Sequence, residues 1–129
     1  MIDKEAGLME LKRLEHHFTI CKVRTVADIN MDMQFCFIGK TDEEISLVCR
    51  TEDAPENTTD RDDGWRGFRI QGTLDFSLIG ILSKLSGILA DNGIGIFAVS
   101  TFNTDYILVK DENYEKTLTI LSNSGYAIL

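Results

Sequence analysis

A helix that starts directly after a strand can hold a carboxylate, because its first backbone N–H groups have no partner inside the helix and carry a partial positive charge. The stretch GTLDFSLIGIL, residues 72–82, has this form, and the donors fall at Leu78, Ile79 and Gly80 behind Ser77. Gly80 lacks a Cβ, so a ligand or a neighbouring backbone can approach it closely. A zwitterionic ligand also needs an acceptor for its ammonium group. Asp105 and Glu44, each at a hairpin turn, can supply one through a charge-assisted hydrogen bond. The turn within STFNTDYILVK, residues 100–110, adds the hydroxyls of Thr101 and Thr104 at the point where two apolar strands enter the core. The same residues have plain structural uses: Ser77 as a helix cap, Asp105 as a turn residue, and Gly80 as a site of close helix-to-sheet packing.

Other chemistry finds less support. Asp60, Asp62 and Asp63 suggest a calcium loop, but Gly64 comes one place early and Gln71 stands where the loop needs a bidentate glutamate. His16, His17 and Cys21 do not form a metal set, since adjacent histidines point in different directions on a strand or a helix. Gly87, Gly93 and Gly95 match neither a phosphate loop nor a dinucleotide fingerprint. No serine sits in a nucleophile elbow, and Asn57 in NTT is a formal glycosylation acceptor that is idle without a secretory route. The residue types therefore point to a non-enzyme with no cofactor and no metal.

Composition fits that reading. A chain of 129 residues with 43% hydrophobic and 26% charged residues has the ordinary globular mix, and it can bury roughly two-thirds of its unfolded surface. The formal charge of −8 repels a phosphate backbone, which argues against nucleic acid and anionic membranes as partners. No apolar run is long enough to span a membrane, and MIDKEAGLMELKRLEHHF reads as an amphipathic helix rather than a signal peptide. Cys21, Cys36 and Cys49 are odd in number and widely spaced, as suits small buried residues in a reducing cytoplasm.

The elements that position these groups are clearest in the second half. In GFRIQG, Phe68 and Ile70 alternate with Arg69 and Gln71, the period of a half-buried strand. Leu78, Ile81, Leu82, Leu85, Ile88 and Leu89 then keep the spacing of one helical face, with Asn92-Gly93 as its stop. IGIFAVST and DYILV form a hairpin. A second helix follows, with acids at its start, Tyr114, Leu118 and Leu121 on one face, and Gly125 at its end, before a last short strand, YAIL. The predicted order is strand, helix, strand, strand, helix, strand: an α+β fold with antiparallel sheet and helices on one face.

The first half predicts strands at FTICKV, QFCFIG, ISLVCR and WRGFRI, with KTDEE as a hairpin turn. Sliding ISLVC, residues 45–49, onto YILVK, residues 106–110, gives a shift of 61 positions and sets Glu44 against Asp105. RTVADINMDM is too short for a three-turn helix, and TEDAPENTTDRDDG reads as a solvated loop in place of the second helix. The first unit is thus truncated, and the two units interlock through WRGFRI.

The block GTLDFSLIGILSKLSGILADNGIGIFAVSTFNTDYILVKDENYEKTLTIL resembles the amino-acid-binding ACT domain, in the tandem form of small bacterial ACT proteins and of CASTOR-type arginine sensors. That resemblance implies ferredoxin-like βαββαβ units in tandem, a truncated one over residues 1–66 and an ACT domain over residues 67–129. It further implies that a small amino acid binds where units meet, contacted by Phe76, Ser77, Leu78, Ile79 and Gly80 before the first helix. Ile96, Phe97, Thr101, Phe102, Thr104 and Asp105 on the second strand and its turn would complete the pocket, with Glu44 as the second acceptor. The expectation is a cytoplasmic regulatory homodimer that acts on an unidentified protein partner. The alternative is a dimerisation or protein–protein interaction module without a small-molecule ligand.

Overall fold

A computed structural model describes residues 9–71 and 80–129 of the chain. It contains seven strands and two α-helices: β1 (Glu10–Lys22), β2 (Cys36–Lys40), β3 (Ile45–Arg50), β4 (Asp60–Ile70), α1 (Ile81–Asp91), β5 (Phe97–Ser100), β6 (Asp105–Lys110), α2 (Tyr114–Asn123) and β7 (Ala127–Ile128). Two compact units share them. One is His16–Trp65; the other joins Met1–Glu15 to Arg66–Leu129. The long strands β1 and β4 each supply residues to both, and the change of unit within β4 falls inside WRGFRI.

The expectation of a helix near the N-terminus is overturned over residues 10–18, which lie in β1. Leu11, Leu14 and Phe18 are buried at helix-like spacing, whereas FTICKV, expected to be a strand, supplies the end of β1. In a strand, alternate residues face opposite sides. Leu11, Thr19 and Cys21 therefore lie on one face and Leu14 and Phe18 on the other, so burial on both faces mimics a helical period. The backbone of β1 is committed to ladders. Phe18 to Lys22 pair antiparallel with Arg50 to Ser46 of β3, while Glu10 and Leu11 pair parallel with Ala127 and Ile128 of β7.

In the unit His16–Trp65 the strand order is β2-β3-β1. Its core is Cys21, Val23, Ile29, Leu47 and Cys49. A single 3-10 turn, Val26–Asp28, takes the place of a first helix, with the Thr25 hydroxyl accepting from the Ala27 N–H. A second 3-10 turn, Thr51–Asp53, follows β3. The acidic stretch expected to be a loop throughout becomes strand at Asp60, because Thr59 N–H donates to the Lys22 carbonyl at 2.9 Å and brings the chain alongside β1. Phe18, Phe35 and His16 form an aromatic cluster, with the two phenyl rings edge to face at 5.6 Å. His16 is thus engaged with rings and His17 is exposed.

The other unit runs β4-α1-β5-β6-α2-β7, with β4-β6-β5 adjacent and β7 on the first part of β1. Its core combines Leu11, Phe68, Ile70, Leu85, Leu89, Ile94, Ile107, Val109, Tyr114, Leu118, Leu121 and Tyr126. Helix α1 packs Leu85 and Leu89 inward with Ile81, Leu82 and Ile88 beside them, the face that the periodicity predicted. Burial of each such leucine stabilises the fold by about 1.5–3 kcal/mol. The helix stops as Gly93 turns to φ 72° and the Asn92 side-chain amide donates to the Ile88 carbonyl at 2.8 Å. In α2, Tyr114, Leu118 and Leu121 are buried as expected, together with Thr117, whose hydroxyl turns back to the Asn113 carbonyl.

Candidate functional site

The hairpin between β5 and β6 is built by its own threonines. Ser100 pairs across the ladder with Asp105. Thr101 N–H donates to the Thr104 carbonyl at 2.8 Å. The Thr101 hydroxyl donates to that same carbonyl at 3.0 Å and accepts from the Thr104 N–H at 3.3 Å. Both backbone groups of Thr104 are therefore satisfied by Thr101, the local side-chain to backbone bonding that makes threonine a turn residue.

Thr104 itself is buried, and its hydroxyl donates to the Ile70 carbonyl at 2.7 Å. This bond ties the hairpin to the last residue of β4, the point from which the chain leads through residues 72–79 to α1. Asp105 is half-buried at the neck of the hairpin, and its Oδ1 accepts from the Ser100 hydroxyl at 2.6 Å. Phe102 projects from the tip, 85% exposed. Ile96 and Phe97 are half-buried where β5 begins, with Ile96 against the core. Within this unit the structure thus gathers Thr101, Phe102, Thr104 and Asp105 on one turn, beside the end of the strand that feeds α1.

The helix start differs from the expectation. Helix α1 begins at Ile81 and its cap position is Gly80, not Ser77. Gly80 is left-handed, with φ 83°, a conformation open to glycine because it has no Cβ to clash with the following carbonyl. The Gly80 carbonyl then accepts from Lys84 N–H at 2.9 Å. The first helical N–H groups accordingly start at Ile81. Phe76, Ser77, Leu78 and Ile79, expected to contact a ligand, lie outside the described residues.

Glu44 belongs to the other unit, on the β2–β3 turn. There Thr41 N–H donates to the Glu44 carbonyl at 2.9 Å, and the Thr41 hydroxyl accepts from Glu43 and Glu44 N–H. The two hairpins correspond closely. β3 and β6 are six residues long with matching burial, and each runs into a 3-10 turn. The correspondence runs from Ile45 to Asp105 and from Thr41 to Thr101, a shift of 60 positions rather than 61. Glu44 therefore matches Thr104, and the carboxylates of Glu44 and Asp105 do not occupy equivalent places. The one-residue error arose because ISLVC and YILVK match as well by residue type, whereas the threonine that closes each turn sets the register.

One polar feature had no sequence signal. The fully buried Thr19 hydroxyl donates to Asp63 Oδ1 at 2.5 Å and shares a hydrogen bond with Thr51 at 3.0 Å. Asp63, weighed earlier as a calcium ligand, is thus a structural acceptor that also binds Arg61 Nε at 3.0 Å. Among the described residues no group of three or more His, Cys, Asp or Glu is placed to hold a metal ion. Burial pushes the thiol pKa values of Cys21 and Cys36 up, and takes that of Cys49 to about 12. All three stay protonated and unreactive near neutrality.

These features define a mixed α/β fold with a ferredoxin-like βαββαβ order of elements in the second unit. Residues 60–123 match the ACT domain family, and the chain carries an ACT domain there. The whole chain is similar to the crystal structure of protein Atu0741 from Agobacterium tumefaciens, with 34% identity over 94% of this chain and 92% of that one and a TM-score of 0.80. A protein of unknown function from Vibrio cholerae, VC0802, shares the fold at 17% identity, covering 93% of this chain and 92% of that one with a TM-score of 0.73. So does the ligand-free regulatory subunit of aspartate kinase from Thermus thermophilus, at 11% identity, 88% and 95% coverage and a TM-score of 0.62. No curated protein matches the chain. No helix among the described residues is long and apolar enough to cross a membrane.

Proposed function

We propose that this is a non-enzymatic regulatory protein in which the ACT domain binds a small amino acid at a junction between ACT units, as two subunits of a homodimer would form. The reading follows the tandem, CASTOR-like form of the family, acts in the cytoplasm and passes its output to a protein partner. The observation that carries it is the position of the Asp105 carboxylate. It is half-buried on the hairpin whose Thr104 is tied to Ile70, at the exit from β4 toward Gly80 and α1. In this reading Asp105 accepts the ligand's ammonium. Donors from the approach to α1, Phe76 to Gly80, take its carboxylate, and Ile96, Phe97 and Phe102 cover its side chain. Glu44, on the β2–β3 turn of the other unit and one position out of register with Asp105, is the second candidate acceptor.

Ligand binding shifts the population of subunit arrangements only by its difference in affinity between them. The test is a thermal-shift series with each of the twenty amino acids, since a ligand bound only by the native state raises the melting temperature. One or two amino acids should raise it, and Asp105→Ala should abolish the rise while leaving the unliganded melting temperature close to that of the parent. A flat series at millimolar concentrations overturns the reading.

A second reading rests on a different observation. β5 is an outer strand of only four residues, and beside it Phe102 is 85% exposed. An outer strand among the described residues with a largely exposed aromatic residue beside it suits docking with another protein and requires no ligand. Phe102→Ser should then weaken self-association, measured by sedimentation, with no amino acid present.

A further inference from the structure

Outside the ACT hairpin, the unit His16–Trp65 contains a cleft of about 420 Å³ lined by Arg24, Thr25, Asp28, Asn57, Thr58 and Thr59. Its volume lies in the range of small-molecule sites, roughly 300–1,000 Å³. Two short segments form the walls: the turn after β1 and the approach to β4. They are joined at the base, where Thr59 N–H donates to the Lys22 carbonyl at 2.9 Å. The first wall is held by its own 3-10 turn, in which Thr25 accepts from Ala27 N–H and Ile29 N–H donates to Val26. Ile29 itself is buried and anchors that wall to the core.

The cleft carries one charged group of each sign, an exposed Arg24 and a half-buried Asp28. Arg24 and Asp28 line the same space, yet no ion pair within 4.0 Å joins them, while the neighbouring Lys22 is taken by Asp60 at 4.0 Å. A guanidinium presents a fork of N–H donors that matches a carboxylate, and a carboxylate accepts from an ammonium group. The Asn57 amide and the Thr58 hydroxyl add further hydrogen-bonding groups on the opposite wall. A lone anion would be opposed by Asp28, and a lone cation by Arg24. A ligand with both charges satisfies both.

We propose that this cleft is a binding site for a small zwitterion, its carboxylate on Arg24 and its ammonium on Asp28. It is separate from the Asp105 hairpin and does not depend on that site's function. The assignment is tested on the full chain, isotopically labelled, by following backbone amide resonances while each of the twenty L-amino acids is added in turn. Saturable shifts at residues 24–29 and 57–59 are expected for at least one of them. Arg24→Ala and Asp28→Asn should each weaken that response by about tenfold or more, equivalent to about 1.4 kcal/mol, whereas Asp105→Ala should leave it intact.

Blocking one end of the responding amino acid separates the two contacts. Its methyl ester should lose the Arg24-dependent part and its N-acetyl form the Asp28-dependent part. Absence of any response at residues 24–29 and 57–59 overturns the proposal. So does a response unchanged by Arg24→Ala, or one that inorganic phosphate reproduces, which would mark a plain anion site. A failure of the Asp105 reading leaves these signals untouched, so the two sites stand or fall separately.

Discussion

At the scale of single residues, the hairpin that carries the candidate site depends on two contacts that residue type alone does not reveal. The Thr104 hydroxyl is buried against the Ile70 carbonyl at 2.7 Å. Thr104→Val keeps the shape and removes the donor, leaving a buried carbonyl without that partner, a change that costs about 1–3 kcal/mol. Chemical denaturation should show that loss with an unchanged m-value. The second contact is Gly67, where β4 passes close to β6. A Cβ placed there would stand 2.5 Å from Leu108 Cδ2 and 3.1 Å from the Ile107 carbonyl oxygen. The leucine can swing aside, but the backbone oxygen cannot, so Gly67→Ala should destabilise the ACT domain by about 1–3 kcal/mol. From the sequence, Thr101, Thr104 and Asp105 stood out because polar residues interrupt two apolar runs. What could not be read was that the threonine hydroxyls serve the turn and Ile70, because Ile70 lies 34 positions away along the chain.

At the scale of elements, helix α1 is the support of the site, since it starts at Ile81 behind the Gly80 cap and buries Leu85 and Leu89 in the core. Leu85→Ala opens a cavity beneath it and should cost about 2–5 kcal/mol, measured by thermal or denaturant unfolding. Because the helix and not the ligand contacts is affected, a surviving folded fraction should still respond to an amino acid. The helices were legible because each has one buried face, and the hairpins because polar turn residues separate two β-rich apolar runs, although β3 and β6 bury residues on both faces. The end of β1 was read as strand in FTICKV, but its first part, residues 10–17, was not, because Leu11, Leu14 and Phe18 are buried at a helix-like spacing. The start of β4 was hidden for the opposite reason. Asp60, Asp62 and Asp63 are exposed acids that carry no hydrophobic pattern, yet pairing along the chain makes them strand. Local propensity lost to tertiary context in both places. The stretch Phe76 to Ile79 was proposed from the family resemblance and stays a proposal.

At the scale of the whole molecule, alkaline pH should act on both units at once. In the unit His16–Trp65, burial raises all three thiols, with Cys49 at about 12 from an ordinary value of 9.0, and the neighbouring Cys21 adds to the shift. In the ACT-bearing unit, burial raises the Tyr114 phenol, which donates to the Gly67 carbonyl at 2.8 Å and lies under the Arg66 guanidinium. Each of these acids is harder to ionise in the folded chain than in the unfolded one. Below pH 9 both states hold the thiol protons, and the contribution is constant. Between about 9 and 12 the unfolded chain releases the Cys49 proton while the folded chain keeps it. The unfolded state then binds fewer protons, and stability falls as pH rises. A formal charge of −8 near neutrality makes each further negative charge more repulsive in the compact state. Unfolding free energy measured from pH 7 to 11 should therefore stay nearly flat to about 9 and then decline. Cys49→Ala should reduce the slope of that decline, even though it removes packing at neutral pH. A slope unaltered by the substitution would assign the alkaline loss to Tyr114 and the general charge instead.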